Sequence, residues 1–152
     1  MKNKVAVHWF RQDLRVKDNP SLNYLSKKYD NIIGLFVFDD VNSDPDLGSA
    51  SKVWLHKSLK HLNEQLNGNL IVLKGDPQEC LNEIISFFDV EEISWNRCYE
   101  PWVIKRDKKI KSKISEKIKV NSFSGSLLWE PWEILKDDKT PYKVFTPFYK
   151  RG

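Results

Sequence analysis

At 152 residues, with 40% hydrophobic, 30% charged and 12% aromatic side chains, the chain has the composition of one folded domain, which excludes disordered and disulfide-stapled classes. Lys and Arg exceed Asp and Glu by 25 to 21, a surplus too mild for a polycationic nucleic-acid arm. Cys80 and Cys98 form no CxxC and no apolar window reaches membrane length, so the expectation is a cytoplasmic protein without structural zinc, redox dithiol or membrane partner.

Apolar runs rich in β-branched residues recur at Val5 to Phe10, Ile32 to Phe38, Leu70 to Leu73, Glu92 to Trp95 and Val120 to Phe123, and these predict buried strands. Helical spacing fills the gaps between them. Asn19 before Pro20 predicts the start of a first helix, PSLNYLSKKY. From Ser51 to Leu66, Leu55, Leu59, Leu62 and Leu66 fall on one stripe. GDPQE offers Asp76 as N-cap, Pro77 at the first helical position and Glu79 two residues on, a capping-box pattern. A fourth helix opens at Pro101 and turns Ile110, Ile114 and Ile118 inward.

Strands joined by single helices pair in parallel through right-handed crossovers. The expected fold is therefore α/β: a doubly wound, Rossmann-like sheet of five parallel strands with helices on both faces. Ligands of such sheets bind beyond the carboxyl ends of the strands, which directs attention to the loops after Phe10, Phe38, Leu73, Asn96 and Gly125. After Trp129 the pattern changes. EPWEILKDDKTPYKVFTPFYKRG has three prolines, crowded aromatics and no sustained period, and is expected to be an irregular connecting arm.

Several motifs invite chemistry. From Lys105 to Lys119, eight Lys or Arg accompany only Asp107 and Glu116. A solvated outer helix face is the favoured account, and an electrostatic track for phosphates is the alternative. Neither GxGxxG nor GxxxxGK[ST] follows the first strand. His8 lies inside a strand, while His56 and His61 sit on different faces of one helix, which favours core and surface roles over catalysis. Cys98, at a strand end, has no evident base partner and is expected to line a pocket rather than attack a substrate. Arg11, Asp13, Arg15 and Asp18 alternate in sign within one loop. Mutual bidentate pairing would make that loop rigid and partly buried, and a direct ligand site is an equal alternative.

The stretch WFRQDLRVKDNPSL, with its W-F-R-x-D-L-R-x-x-D-N pattern, resembles the N-terminal signature of the DNA photolyase and cryptochrome family. SKVWLHKSLKHLNEQL, LKGDPQECL, WNRCYEPW followed by KRD, and PYKVFTPFYKRG occur in the expected order, so the resemblance covers essentially the whole chain. The tail most resembles bacterial class I photolyases, which repair cyclobutane pyrimidine dimers. The resemblance implies an N-terminal antenna domain over residues 1–129 and the start of an interdomain connector over 130–152. The helical domain that holds FAD, and through which damaged DNA is engaged, would be a missing partner. It further implies no catalytic residue in this chain and no repair by it alone, whether it is a fragment or a truncated product.

An antenna chromophore is the implied ligand: methenyltetrahydrofolate, 8-hydroxy-deazaflavin or flavin. By resemblance to deazaflavin-binding members, Phe36, Asp39, Cys98 and Glu100 occupy pocket-lining positions, with Cys98 where an acid is often found. Lys52 lies near the place of a basic pocket residue, and Val103 stands where folate-binding members carry glutamate. Arg11 and Asn96, at the ends of the first and fourth strands, complete the candidate cofactor set. The rival expectations are a cryptochrome-like photosensor and a stand-alone nucleotide- or pterin-binding module of the same fold. Tyr142, Phe145, Phe148 and Tyr149 would expose apolar surface in isolation, through which the chain could form a homodimer.

Overall fold

The computed structural model describes residues 4–42 and 47–152, and in it the five apolar runs become five parallel strands. They are β1 (Val5–Phe10), β2 (Ile32–Phe38), β3 (Leu70–Lys74), β4 (Val90–Asn96) and β5 (Lys119–Phe123), alternating with α1 (Pro20–Ser26), α2 (Ser49–Gln65), α3 (Pro77–Phe87) and α4 (Pro101–Ile114). The sheet order is β3-β2-β1-β4-β5, so the winding reverses beside β1. His8 lies opposite Gly34 of β2 on one side and Ser94 of β4 on the other.

The expected caps are present. Asn19 accepts the amide of Leu22, and Asp76 accepts those of Gln78 and Glu79, each followed by proline at the first helical position. The leucine stripe of α2 also holds, with Leu62 buried and Leu55, Leu59 and Leu66 partly so. α4 ends at Ile114. Ile118 thus packs on the core from the following turn rather than from the helix.

Side-chain alternation divides the strands between two cores. Val5, Val7 and Trp9 of β1, Leu35 and Val37 of β2 and Ile93 and Trp95 of β4 meet Leu81 and Ile84 of α3 and Ile110 and Ile114 of α4. Trp9 and Trp95 pack edge to face at 5.4 Å. On the opposite face, Phe10 and Phe36 meet Leu22 of α1 and Leu62 of α2. Burial of these faces is the main driving force for the sheet, at about 25 cal/mol per Å² of apolar surface.

The α1 side of β1 and β4 is polar instead. His8, Glu92, Ser94 and Asn96 are all buried there, and buried polar groups need partners. The Nδ1 of His8 lies 2.9 Å from Ser21 Oγ, which is 2.6 Å from Ser94 Oγ, and the amide of Asn19 reaches His8 Nε2 at 3.3 Å. Glu92 accepts from Lys28, Tyr29 and Asn121 at 2.6, 2.8 and 2.6 Å. Burial works to raise the Glu92 pKa, but these hydrogen bonds hold it below the ordinary carboxylate value.

Beyond β5 the arm is more ordered than its sequence suggests. Leu135 bridges to Pro141, and a short helix, α5 (Phe145–Arg151), sets Phe148 against Trp129 at 5.8 Å. Trp132, Val144, Phe145 and Tyr149 stay exposed. The arm therefore covers its own near end and leaves an apolar face uncovered.

Burial lowers the pKa of His8 to about 4 from 6.5. A base with a depressed folded-state pKa gives the unfolded chain the greater proton uptake, so stability is present above 6.5 and is lost as pH falls toward 4. Urea unfolding should show a loss of about 2 kcal/mol between pH 7 and pH 5. A His8→Gln variant should be less stable at pH 7 but lack that slope. An unchanged slope would remove His8 as its source.

Candidate functional site

The loop after β1 begins with Arg11, whose main-chain amide donates to Asp13 Oδ1 at 3.0 Å. Its guanidinium leaves the loop and donates to the Asp107 carboxylate on α4 and to the main-chain oxygen of Asn96. Asp107 also accepts from Arg106, through Nε at 3.2 Å and Nη2 at 3.0 Å. Arg106 in turn donates from Nη1 to Asp39 Oδ2 at 2.8 Å, at the end of β2. Two cations and two anions thus form one chain, Arg11–Asp107–Arg106–Asp39, that ties β1, α4 and β2 together. Planar guanidinium forks suit both carboxylates and ring faces. The Trp9 ring lies 5.1 Å from the Arg11 Cζ and 5.4 Å from that of Arg106, while Trp102 lies 5.2 Å from Arg106.

This geometry corrects the expectation of a loop neutralised by its own residues. The second oxygen of Asp13 accepts from Asn96 Nδ2 at 2.6 Å, and Arg15 donates to the main-chain oxygens of Asp18 and Gly125 at 3.0 and 2.6 Å. Both oxygens of Asp13 are already engaged, the first by the Arg11 amide and the second by Asn96. The long arginine stems therefore reach neighbouring elements.

Above this ionic chain lies a cleft of about 270 Å³, walled by Trp9, Phe36, Phe38, Trp102 and Val103 and edged by Arg11, Asp39, Cys98 and Arg106. Burial pushes the Cys98 thiol up, keeping it protonated, as suits a wall rather than a nucleophile. A second groove of about 650 Å³ shares Arg11, Gln12, Phe36, Leu47 and Leu55 and extends along α2 to Trp54 and Ser58. The sequence-derived set is therefore split. Arg11, Phe36, Asp39 and Cys98 line the cleft. Asn96 lies beneath it, buried and hydrogen-bonded to Asp13 and Asn19. Glu100 stands behind Gln12, accepting its amide at 2.7 Å, and that bond holds the carboxyl below its ordinary pKa. Lys52 is exposed in the first turns of α2 and belongs to neither wall.

Trp9, Trp102, Arg106 and Asp107 were not in that set. For Asp107 a signal was present in the register of α4. Asp107 stands four residues after Val103 and three before Ile110, on the buried stripe where an unpaired acid would be costly. An acid in that register requires a buried cation, and Arg11 supplies it.

A family model described as DNA photolyase matches residues 6–152. A deoxyribodipyrimidine photo-lyase of Agrobacterium fabrum is 34% identical over 154 residues, covering 99% of this chain and 32% of that protein. The crystal structure of a bacterial class III photolyase from Agrobacterium tumefaciens matches with a TM-score of 0.88 at 34% identity, over 99% of this chain and 32% of that one. Cryptochrome-2 of Arabidopsis thaliana is 30% identical over 155 residues, 98% of this chain and 25% of that protein. The chain thus spans a third or less of the length of these relatives. The class I subtype expected from PYKVFTPF is not confirmed by these matches, in which the similar crystal structure is that of a class III photolyase.

The Asp107 side chain is only 12% exposed and that of Arg11 only 7%. Asp107→Asn should cost about 2–4 kcal/mol, because two largely buried guanidiniums lose their shared carboxylate. Asp18→Asn, outside the chain of pairs, should change stability by less than about 0.5 kcal/mol. Equal losses in urea unfolding would contradict the assigned pairing.

Proposed function

The chain belongs to the DNA photolyase family, and from that premise we propose that its cleft holds an antenna chromophore for a light-driven photolyase. The observation that carries this is the cleft itself. It has aromatic walls from Trp9, Phe36 and Trp102, with guanidinium planes from Arg11 and Arg106 at its edge, at the carboxyl ends of β1 and β2. A flat conjugated ring suits such walls by stacking and cation–π attraction, and fixed donors at the edge suit ring carbonyl and nitrogen acceptors. Pterin, flavin and deazaflavin share that chemistry. The connecting groove along α2 leaves room for a substituent on the ring.

When bound, the chromophore would supply light absorption and pass excitation energy onward. The protein's own residues bind and orient it. Arg106, fixed between Asp39 and Asp107, holds its plane against Trp102. Val103 and Phe38 exclude water from the inner wall. The polar network around Asn96 keeps the loop after β1 from shifting.

FAD, dimer recognition and electron transfer to the cyclobutane ring belong, in this proposal, to a helical portion such as the longer relatives have room for. The arm from residue 130 would form the seam with it, and its exposed Trp132, Phe145 and Tyr149 supply the apolar surface for such a seam. The likeness to cryptochrome-2 supports a second reading, a photosensor using the same cleft without repair.

Titrating the purified protein with methenyltetrahydrofolate, 8-hydroxy-deazaflavin and FMN, followed by near-ultraviolet and blue absorbance and fluorescence, tests the proposal. One of the three should bind with a shifted spectrum. Arg106→Lys keeps the charge but loses the plane, and should weaken uptake about tenfold, the effect of roughly 1.4 kcal/mol. Failure of all three ligands with a folded protein would sink the antenna assignment.

A further inference from the structure

The positive charge of this protein is concentrated on α4 and the turn that leads from it into β5. The stretch from Lys105 to Lys119 carries eight Lys or Arg against two acids, six charges positive, more than the whole chain's net +4. Arg106 and Asp107 pair with each other and face inward, so setting both aside leaves the surplus of the stretch unchanged. Lys105, Lys108, Lys109 and Lys113 all lie on the exposed face of α4, opposite buried Val103, Ile110 and Ile114. Among the described residues none of these four makes an ion pair. The helix macrodipole accounts for Lys113 in the last turn but not for Lys105, Lys108 and Lys109, which crowd one another at one-, three- and four-residue spacings. Their clustering weakens the helix, so local stability does not explain it.

We propose that this face binds the phosphate backbone of a nucleic-acid duplex, without sequence preference and apart from the cleft. Charge complementarity favours that occupant. The four ammonium groups form a row about 12 Å long at 1.5 Å rise per residue, a spacing that tracks several phosphates of a polyanion. Ser112 lies among them, and the aromatic beside the row, Trp102, has its ring against the Arg106 guanidinium at 5.2 Å and walls the cleft, which disfavours stacking of a single-stranded base. The apolar stripe of α4 is committed to the core, so the helix cannot present it to a lipid bilayer. The aromatic and arginine side chains that adjoin the row, Trp102 and Arg106, are engaged with each other and with Asp39 and Asp107, so the row itself offers no free anchor of the kind a protein interface depends on. Lysines act as point charges, which suits backbone contact rather than base readout.

Fluorescence anisotropy of a labelled, undamaged 20-base-pair duplex in the dark tests this with the full chain and no chromophore. Three to four phosphate contacts should lower affinity about 40- to 150-fold between 50 and 200 mM salt. The K105Q/K108Q/K109Q/K113Q variant should bind at least about tenfold more weakly at 50 mM salt and lose most of the salt slope. The corresponding four-arginine variant should bind like the parent, and K57Q/K60Q on α2 should stay within about twofold of it. Circular dichroism confirms folding of each variant, and if the glutamine variant unfolds, its four single substitutions decide. A salt-independent affinity, equal losses in K57Q/K60Q, or tighter binding to phosphatidylserine vesicles through the same lysines would overturn the proposal.

Discussion

Asn96 fixes the end of the sheet from which the candidate site is built. Its Nδ2 donates to Asp13 and to Asn19 at 2.6 and 2.8 Å, its Oδ1 accepts the amide of Ser21 at 3.2 Å, and its main-chain oxygen accepts from Arg11. One amide side chain thereby joins the last residue of β4 to the charged loop after β1 and to the first turn of α1. The Asn96 side chain has partners for both its oxygen and its nitrogen, the condition under which a buried polar group rigidifies a structure. Gly125 closes the network from the β5 side. A Cβ there would fall 2.5 Å from Asn96 Cγ, so close approach, rather than a turn, demands glycine.

The same end of the sheet separates two kinds of charge. In the cleft, Arg11 and Arg106 are matched by Asp39 and Asp107, which leaves it nearly neutral. On the outside of α4, Lys105, Lys108, Lys109 and Lys113 make no ion pair among the described residues. Both come from a single run of sequence, and what divides them is helical phase. Arg106 and Asp107 fall toward the cleft, whereas Lys105, Lys108 and Lys109 fall toward solvent. Composition averages over this division, so the chain's overall charge describes neither face.

The inner strands β1 and β2 were legible because they bury side chains on both faces, which leaves continuous apolar runs, while the edge strands β3 and β5 are only partly buried. The helix starts were legible because Asn-Pro and Asp-Pro satisfy orphan amides in a local, sequence-readable way. The partners of the charged residues were not. Arg11 finds Asp107 some 96 positions away, and nothing in its own loop announces that choice. Local charge alternation made pairing with Asp13 look natural, yet two residues' separation lets the backbone amide take that carboxylate first. Of the residues named by resemblance, Phe36, Asp39 and Cys98 line the cleft, and Lys52 is exposed on α2. The short helix in the arm escaped because Pro147 and β-branched residues argue against a helix that packing of Phe148 on Trp129 then supports.

Three consecutive residues connect the arm to the cleft. Asn96 turns into the polar network under α1, Cys98 faces the cleft, and Arg97 between them turns toward the arm. The Arg97 guanidinium donates to the buried carboxylate of Glu130 and to the main-chain oxygen of Ser122, and it lies 5.8 Å from the Trp132 ring. Tyr99 donates to the other oxygen of Glu130 at 2.9 Å. The arm is therefore anchored through the same strand end that floors the cleft. Because only one peptide separates Arg97 from each neighbour, displacing the anchor would strain Asn96 and Cys98 together.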